Sequence, residues 1–283
     1  MQQRIITVQS GLKLCLWHHL GEGRPVLFLH GYLDTGRSFD EVVRLYGGHA
    51  LCLDLRGHGQ SARVGPGGSY HLLDHVKDVA EVLRQLGEDG MRPRAVVAHS
   101  MGGNIALILA GALPNAIDRL LLVDALGPPA EAPEEQASRI GRVLHSLGQK
   151  KPFKPAADLD HALARLRKLN PNLTPIGARR MLEHVMIPVD DGLAFPFDER
   201  LRGPTPVRYP ESMWLALCKR VTAKVHVLRA EYGYVWPASP GSERLAAMGG
   251  TMNTVEGIGH HIHVDAPELV AAALCDLLGN GAR

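Results

Sequence analysis

Apolar residues in this chain fall into short continuous runs separated by helix-spaced stretches. "PVLFLH", "ALCLDL", "RAVVAHS" and "RLLLVD" are each followed by a glycine-containing or polar turn. Leucine- and valine-rich runs of this length predict strands buried on both faces, as in a parallel sheet. Between them, from His71 to Leu86, apolar residues stand at 72, 73, 76, 79, 80, 83 and 86, one face of a helix. "MGGNIALILAGAL" is apolar almost all round and predicts a buried helix. Ahead of this alternation, "RIITV" and "LKLCLWHH" flank "QSG" and predict an opening antiparallel pair. Alternating strands and helices predict an α/β fold with a mostly parallel central sheet flanked by helices.

The rhythm breaks after Asp124. The next strand pattern, "KVHVLR", starts at Lys224, so residues 125–223 exceed what one crossover helix needs. This stretch leaves through the proline-rich "GPPAEAPEE". It carries helical patterns near 134–148, 158–169, 174–186 and 210–221, and "IPVDDGLAFPFDERL" reads as a small hairpin or a loop. The expected organisation is a core over 1–126 and 224–283 with a helical cap, 127–223, inserted before the penultimate strands. The chain closes with helical "ERLAAM", a short strand "TMNTVEG" and a last helix over "DAPELVAAALCDLL". Asp265 and Glu268 are spaced as a capping box for that helix, with Pro267 in its first turn.

Composition narrows the class. A net charge of +2 without a basic tract argues against nucleic acid as a partner. No apolar run approaches the roughly 18 residues of a membrane span, and "MQQRIITVQS" lacks a signal-peptide apolar stretch. Four cysteines, at 15, 52, 218 and 275, show no metal or disulfide spacing and predict buried free thiols. A cytoplasmic protein, monomer or homodimer, is expected.

The candidate chemistry starts at "VVAHSMGGN". Ser100 stands between a predicted strand and a predicted helix, in the spacing Ala98-x-Ser100-x-Gly102. This nearly matches the nucleophile elbow G-x-S-x-G, with alanine replacing the first glycine; the alternative is a chance serine at a strand-to-helix turn. Small residues flank such a serine because its turn is strained. The helix that follows turns amide groups toward a developing oxyanion.

"PVLFLHGYLDTGRSFD", "LCLDLRGHGQSA", "VVAHSMGGNIAL" and "IGHHIHVDAPE" occur in the order and spacing of the α/β-hydrolase fold family, which the chain resembles. Through "LRKLNPNLTPIGARRMLEHV", "GLAFPFDERL" and "AEYGY" it is most similar to the serine hydrolase-like subgroup. The resemblance implies a Ser–His–acid hydrolase with a helical lid. It assigns Ser100 as nucleophile and the amides of Met101 and Tyr32 as oxyanion donors. It selects His260 as base among His260, His261 and His263. His30 and Gly31 then serve structure alone.

Two other readings of these residues are weaker. The three histidines with Asp265 could suggest a metal cluster, but no H-x-x-x-H helix or second ligand group supports it, and no metal is expected. "LDLRGHGQS" lacks the lysine of a phosphate loop, so no cofactor is expected; its glycines form a turn, held by Asp54 and Arg56.

The family's usual acid is missing. Aligned on Pro237, its position holds Gly233. Asp124, ending "RLLLVD", is the expected replacement, because that strand opens on the side where such sheets place their sites. An aspartate ending an apolar strand is costly to bury unless paired; otherwise it caps the turn "DALGPP". Glu231 is a second candidate, and an acid-free dyad or degenerate site a third. The expected function is cleavage of a carboxylic ester or related acyl bond in a small-molecule substrate, through a Ser100–His260–Asp124 triad and an acyl-enzyme. Thioester, lactone and carbon–carbon bond cleavage stay open. So does a non-hydrolytic ligand-binding or signalling role on the same fold. Trp214, Met213, Met181 and Met186 are candidate linings of an apolar acyl pocket.

Overall fold

The computed structural model describes residues 1–146, 154–203, 205–233 and 238–279, with the backbone alone for 238–241. Strands β1 (Gln2–Thr7) and β2 (Lys13–His19) form the expected antiparallel pair, turned at Gly11, whose φ is +81°. Then follow β3 (Val26–Leu29), α1 (Asp40–Tyr46), β4 (Ala50–Leu53), α2 (Leu72–Glu88), β5 (Ala95–His99), α3 (Met101–Ala112) and β6 (Arg119–Val123). The inserted stretch holds α4 (Pro133–His145), α5 (Leu159–Leu169), α6 (Pro175–Val185), the hairpin β7 (Ile187–Val189) and β8 (Gly192–Ala194), and α7 (Glu211–Cys218). The chain closes with β9 (Lys224–Tyr232), α8 (Ala238–Ala247), β10 (Thr251–Gly259), α9 (Ile262–Asp265) and α10 (Pro267–Leu278). The helical pattern near 134–148 thus becomes α4; residues 147 and 148 lie outside the described residues.

Eight strands make one sheet in the order β1-β2-β4-β3-β5-β6-β9-β10. Only β2 runs against its neighbours; from β4 to β10 every pairing is parallel. The continuous apolar runs are explained by burial on both faces. Leu27, Leu29, Val96, Ala98, Leu120 and Leu122 pack toward α2 and α3. Their alternates, Val26, Phe28, Val97, Leu121 and Val123, pack toward α1 and α10. All four strand-to-helix loops relevant below leave the sheet at the carboxyl ends of β3, β5, β6 and β10, the edge where parallel sheets hold their sites.

Helices α5 and α6 bury Ala162, Leu166, Ala178, Met181, Leu182 and Val185 in a small core of their own, joined by Val264 of α9. Helix α7 packs instead on α3, with Trp214 and Cys218 in the main core. Of the expected pocket linings, therefore, Trp214 is fully buried core and Met181 and Met186 belong to the small core, while Met213 is exposed.

The capping expectation for α10 is corrected. Ala266 occupies the cap position, and Asp265 lies in α9. Its carboxylate accepts the Thr174 hydroxyl at 2.5 Å and the Thr174 amide at 3.2 Å. Two donors on the inserted stretch outcompete one amide of its own helix, and the contact joins the N-cap of α6 to the core. Across the insertion, Tyr70 Oη donates to Asp198 at 2.7 Å and Tyr32 Oη to the Leu201 carbonyl at 3.0 Å. Cys15, Cys52 and Cys218 are buried free thiols, and Cys275 is a half-buried one. No helix among the described residues is long and apolar enough to cross a membrane.

Candidate active site

Among the described residues, three non-glycine residues have left-handed backbone: Leu33 (φ 58°), Ser100 (φ 50°) and Asp124 (φ 44°). They follow β3, β5 and β6, three adjacent strands. Each such residue costs on the order of 1–3 kcal/mol, so their concentration at one sheet edge marks a built site.

Ser100 is forced into its turn by close packing. A Cβ at Gly102 would lie 2.4 Å from the Leu29 carbonyl oxygen, and one at Gly103 would lie 2.3 Å from Ala125 Cβ. Only glycine lets α3 start this close to β3 and the exit of β6. Gly31 belongs to the same contact, since a Cβ there would come within 3.3 Å of Ser100 Cβ. Tyr32 is the residue after Gly31, and Met101, directly after the serine, is the first residue of α3. The Tyr32 side chain turns outward to the insertion.

His260 follows β10 and is half-buried. Its Nε2 lies 2.9 Å from Ser100 Oγ, and its Nδ1 lies 2.5 Å from Asp124 Oδ2. With Nδ1 protonated, the ring donates to the carboxylate and accepts from the serine hydroxyl. The second oxygen of Asp124 accepts the Ala230 amide of β9 at 3.0 Å, and the Asp124 amide donates to the Leu228 carbonyl at 2.7 Å. The buried carboxylate thus has the partners that burial demands.

Glu231 is exposed, and its carboxylate accepts the Gly257 amide on β10 at 2.7 Å, so the structure does not bring it to His260. Gly233 bears on Asp124 in a way sequence reasoning missed. A Cβ at 233 would lie 2.2 Å from Asp124 Oδ2. The space of the absent side chain is the space the Asp124 carboxylate fills. Pro237, on which Gly233 was aligned, lies outside the described residues.

Behind the base lies a buried histidine, His99, that sequence reasoning also passed over. Its Nε2 donates to the His260 carbonyl at 3.0 Å, and its ring packs 4.6 Å from that of His260. Burial holds the imidazole well below its ordinary value, and nearby His263, His260 and His261 add to the effect. The only sequence signal was its place beside Ser100.

Of the residues weighed as a metal cluster, His260, His263 and Asp265 take separate partners. His260 faces Ser100, His263 faces Ser38 at 3.2 Å, and Asp265 faces Thr174. Asp34, His99 and His263 do hold donor atoms within 4.8 Å of one another. Asp34 accepts the Thr35 amide and the Ser38 hydroxyl, and the rings of His99 and His263 pack 4.2 Å apart. Burial pushes the Asp34 carboxyl up most strongly, but the hydrogen bond to His263, the charges of His263 and His30 and the Ser38 hydroxyl together outweigh it, and the group ends below the usual range. The turn after β4 is held by Asp54, which accepts the Gln60 and Gly36 amides, whereas Arg56 leaves the turn to pair with Asp78 of α2 at 2.6 Å. His30 bonds the Gly31 carbonyl and the Leu55 amide, a structural role.

A parallel sheet with a serine elbow, and a histidine and an aspartate converging on it, defines a hydrolase architecture. The family model described as "Alpha/beta hydrolase family" matches residues 26–273, and the chain belongs to that family. Among its relatives is the serine hydrolase-like protein of Danio rerio, 28% identical over 90% of this chain and 82% of the relative. Esterase Rv0045c of Mycobacterium tuberculosis is 34% identical over 51% of this chain and 48% of its own. The crystal structure of hypothetical protein PA1622 from Pseudomonas aeruginosa PAO1 superposes with a TM-score of 0.85 at 28% identity, covering 98% of both chains.

Proposed function

We propose that this chain is a serine hydrolase that cleaves a carboxylic ester, or a related acyl bond, through an acyl-enzyme. The observation that carries the reading is the unbroken line from Ser100 Oγ through the His260 ring to the Asp124 carboxylate, at 2.9 and 2.5 Å. The relatives named serine hydrolase-like protein and esterase support it.

In this reading His260 Nε2 takes the Ser100 proton as Oγ attacks the substrate carbonyl. Asp124 stabilises the imidazolium that forms. The amides of Met101 and Tyr32 receive the negative oxygen, each worth roughly 2.7–4 kcal/mol of transition-state stabilisation. His260 returns the proton to the departing alcohol, leaving Ser100 acylated. A water then gives its proton to His260 and attacks the acyl carbon; the Oγ–acyl bond breaks, His260 returns that proton to Ser100 Oγ, and the acid leaves. Residues 127–223 act as a cap over a small-molecule acyl substrate.

A fluorophosphonate probe tests the nucleophile. The folded wild-type protein is expected to label covalently and Ser100→Ala to stay unlabelled. Folded wild type that fails to label would favour a ligand-binding role on the same fold.

A further inference from the structure

An aspartate at the end of β6 must be aimed by the loop that follows it, and that loop is gripped by one side chain. Arg244 of α8 is 3% exposed. Its Nη1 donates to the Leu126 carbonyl at 2.9 Å and to the Pro128 carbonyl at 3.0 Å. These carbonyls lie two and four residues after Asp124. The guanidinium sits inside the loop's curve. Gly127 has φ +84°, and a Cβ there would lie 2.4 Å from Arg244 Nη1 and 3.2 Å from the Trp214 ring.

The buried cation is itself held. Its Nε donates to Glu211 Oε1 of α7 at 2.7 Å, its Nη2 donates to Glu211 Oε2, and its guanidinium carbon lies 5.1 Å from the centre of the Trp214 ring. A planar guanidinium can make the paired bond to a carboxylate and still hold two carbonyls with its remaining donors. An ammonium cannot.

We propose that Arg244, oriented by Glu211, is a positioning residue that fixes the 124–128 loop and so keeps the Asp124 carboxylate on His260. The inference rests on the triad reading above. Asp124 is held in a left-handed conformation that its own backbone disfavours. The amide bonds to Leu228 and Ala230 pin it from the strand side, and Arg244 pins the loop from the other. Glu211 belongs to the inserted stretch, so the clamp ties the geometry of the acid to the seating of α7.

A merely structural staple and a positioning residue differ in one readout, dependence on Asp124. Turnover of p-nitrophenyl butyrate by wild type, Arg244→Lys, Asp124→Asn and the double variant makes a double-mutant cycle. Denaturant melts check that each variant folds. Arg244→Lys is expected to lower kcat by about tenfold or more with KM within about twofold, and to cost less than about twofold further once Asp124 is already Asn. An unchanged kcat, or the same fractional loss in both backgrounds, would overturn the proposal. If Arg244→Lys does not fold, Glu211→Gln keeps the guanidinium and removes its orienting charge. It is read in the same cycle, with the same two outcomes. Should Asp124→Asn alone keep full turnover, the triad reading itself fails. An impaired Asp124→Asn with additive losses removes only the role of Arg244.

Discussion

A single methyl group at position 233 would stand 2.2 Å from Asp124 Oδ2, well inside contact distance. The carboxylate would have to rotate off His260, where it now makes a 2.5 Å hydrogen bond. Gly233→Ala is therefore expected to lower kcat by between about tenfold and 10⁴-fold, the upper end being what a lost acid–imidazole contact costs in a serine triad. The denaturant midpoint should fall as well, because the displaced Asp124 carboxylate is buried and loses a partner that burial demands. Full activity in Gly233→Ala would mean that Asp124 does not need this space. The replacement of the usual acid by glycine was legible in the sequence as an absence. Its consequence was not, since it depends on where a side chain 109 positions earlier comes to rest. Asp124 was legible because an aspartate ending an apolar strand is an expensive placement that asks for a partner. Arg244 and His99 left no such mark. One reads as an ordinary helix arginine and the other as the variable residue of the elbow.

At the scale of elements, the strands β3, β4, β5 and β6 could be read directly because burial on both faces makes their sequences apolar almost throughout. The elbow could be read because Gly102 and Gly103 are demanded by the approach of α3 to β3 and β6. Short elements were harder. Helix α1 has seven residues and buries only Val42 and Val43, too few to show a period. Asp265 illustrates a different failure. Its spacing to Glu268 satisfies a local capping rule, yet Thr174, 91 positions away, offers it a hydroxyl and an amide together. Trp214, one of the candidate linings of an acyl pocket, shows a similar claim by a partner distant in sequence. Large apolar side chains on inserted helices are claimed first by the nearest core, as Trp214 is by α3 and Arg244.

For the molecule as a whole, the buried histidines set the acid limit. Burial, helped by His30 and His75, holds His58 well below its ordinary value, and burial with the nearby Arg56 takes His75 to about 3. His99 is lowered in the same way. The unfolded chain takes up protons on these rings near pH 6.5, whereas the folded chain does not, so stability rises with pH through this window. Their contribution is complete above about pH 6.5. It is lost as pH falls toward about 3, at up to about 1.4 kcal/mol per ring per pH unit. Urea midpoints are expected to fall between pH 7 and pH 4.5, and a flat or rising midpoint would contradict the assignment of neutral buried rings. The site itself is also a property of the whole fold, since His260 meets Ser100 across 160 positions and Asp124 across 136. The account stands most directly on turnover of p-nitrophenyl esters by Asp124→Asn set beside Glu231→Gln. Asp124→Asn is expected to lose most of its kcat, by about 10³-fold or more, with Glu231→Gln near wild type. Full turnover in Asp124→Asn, or a collapse in Glu231→Gln alone, would contradict it.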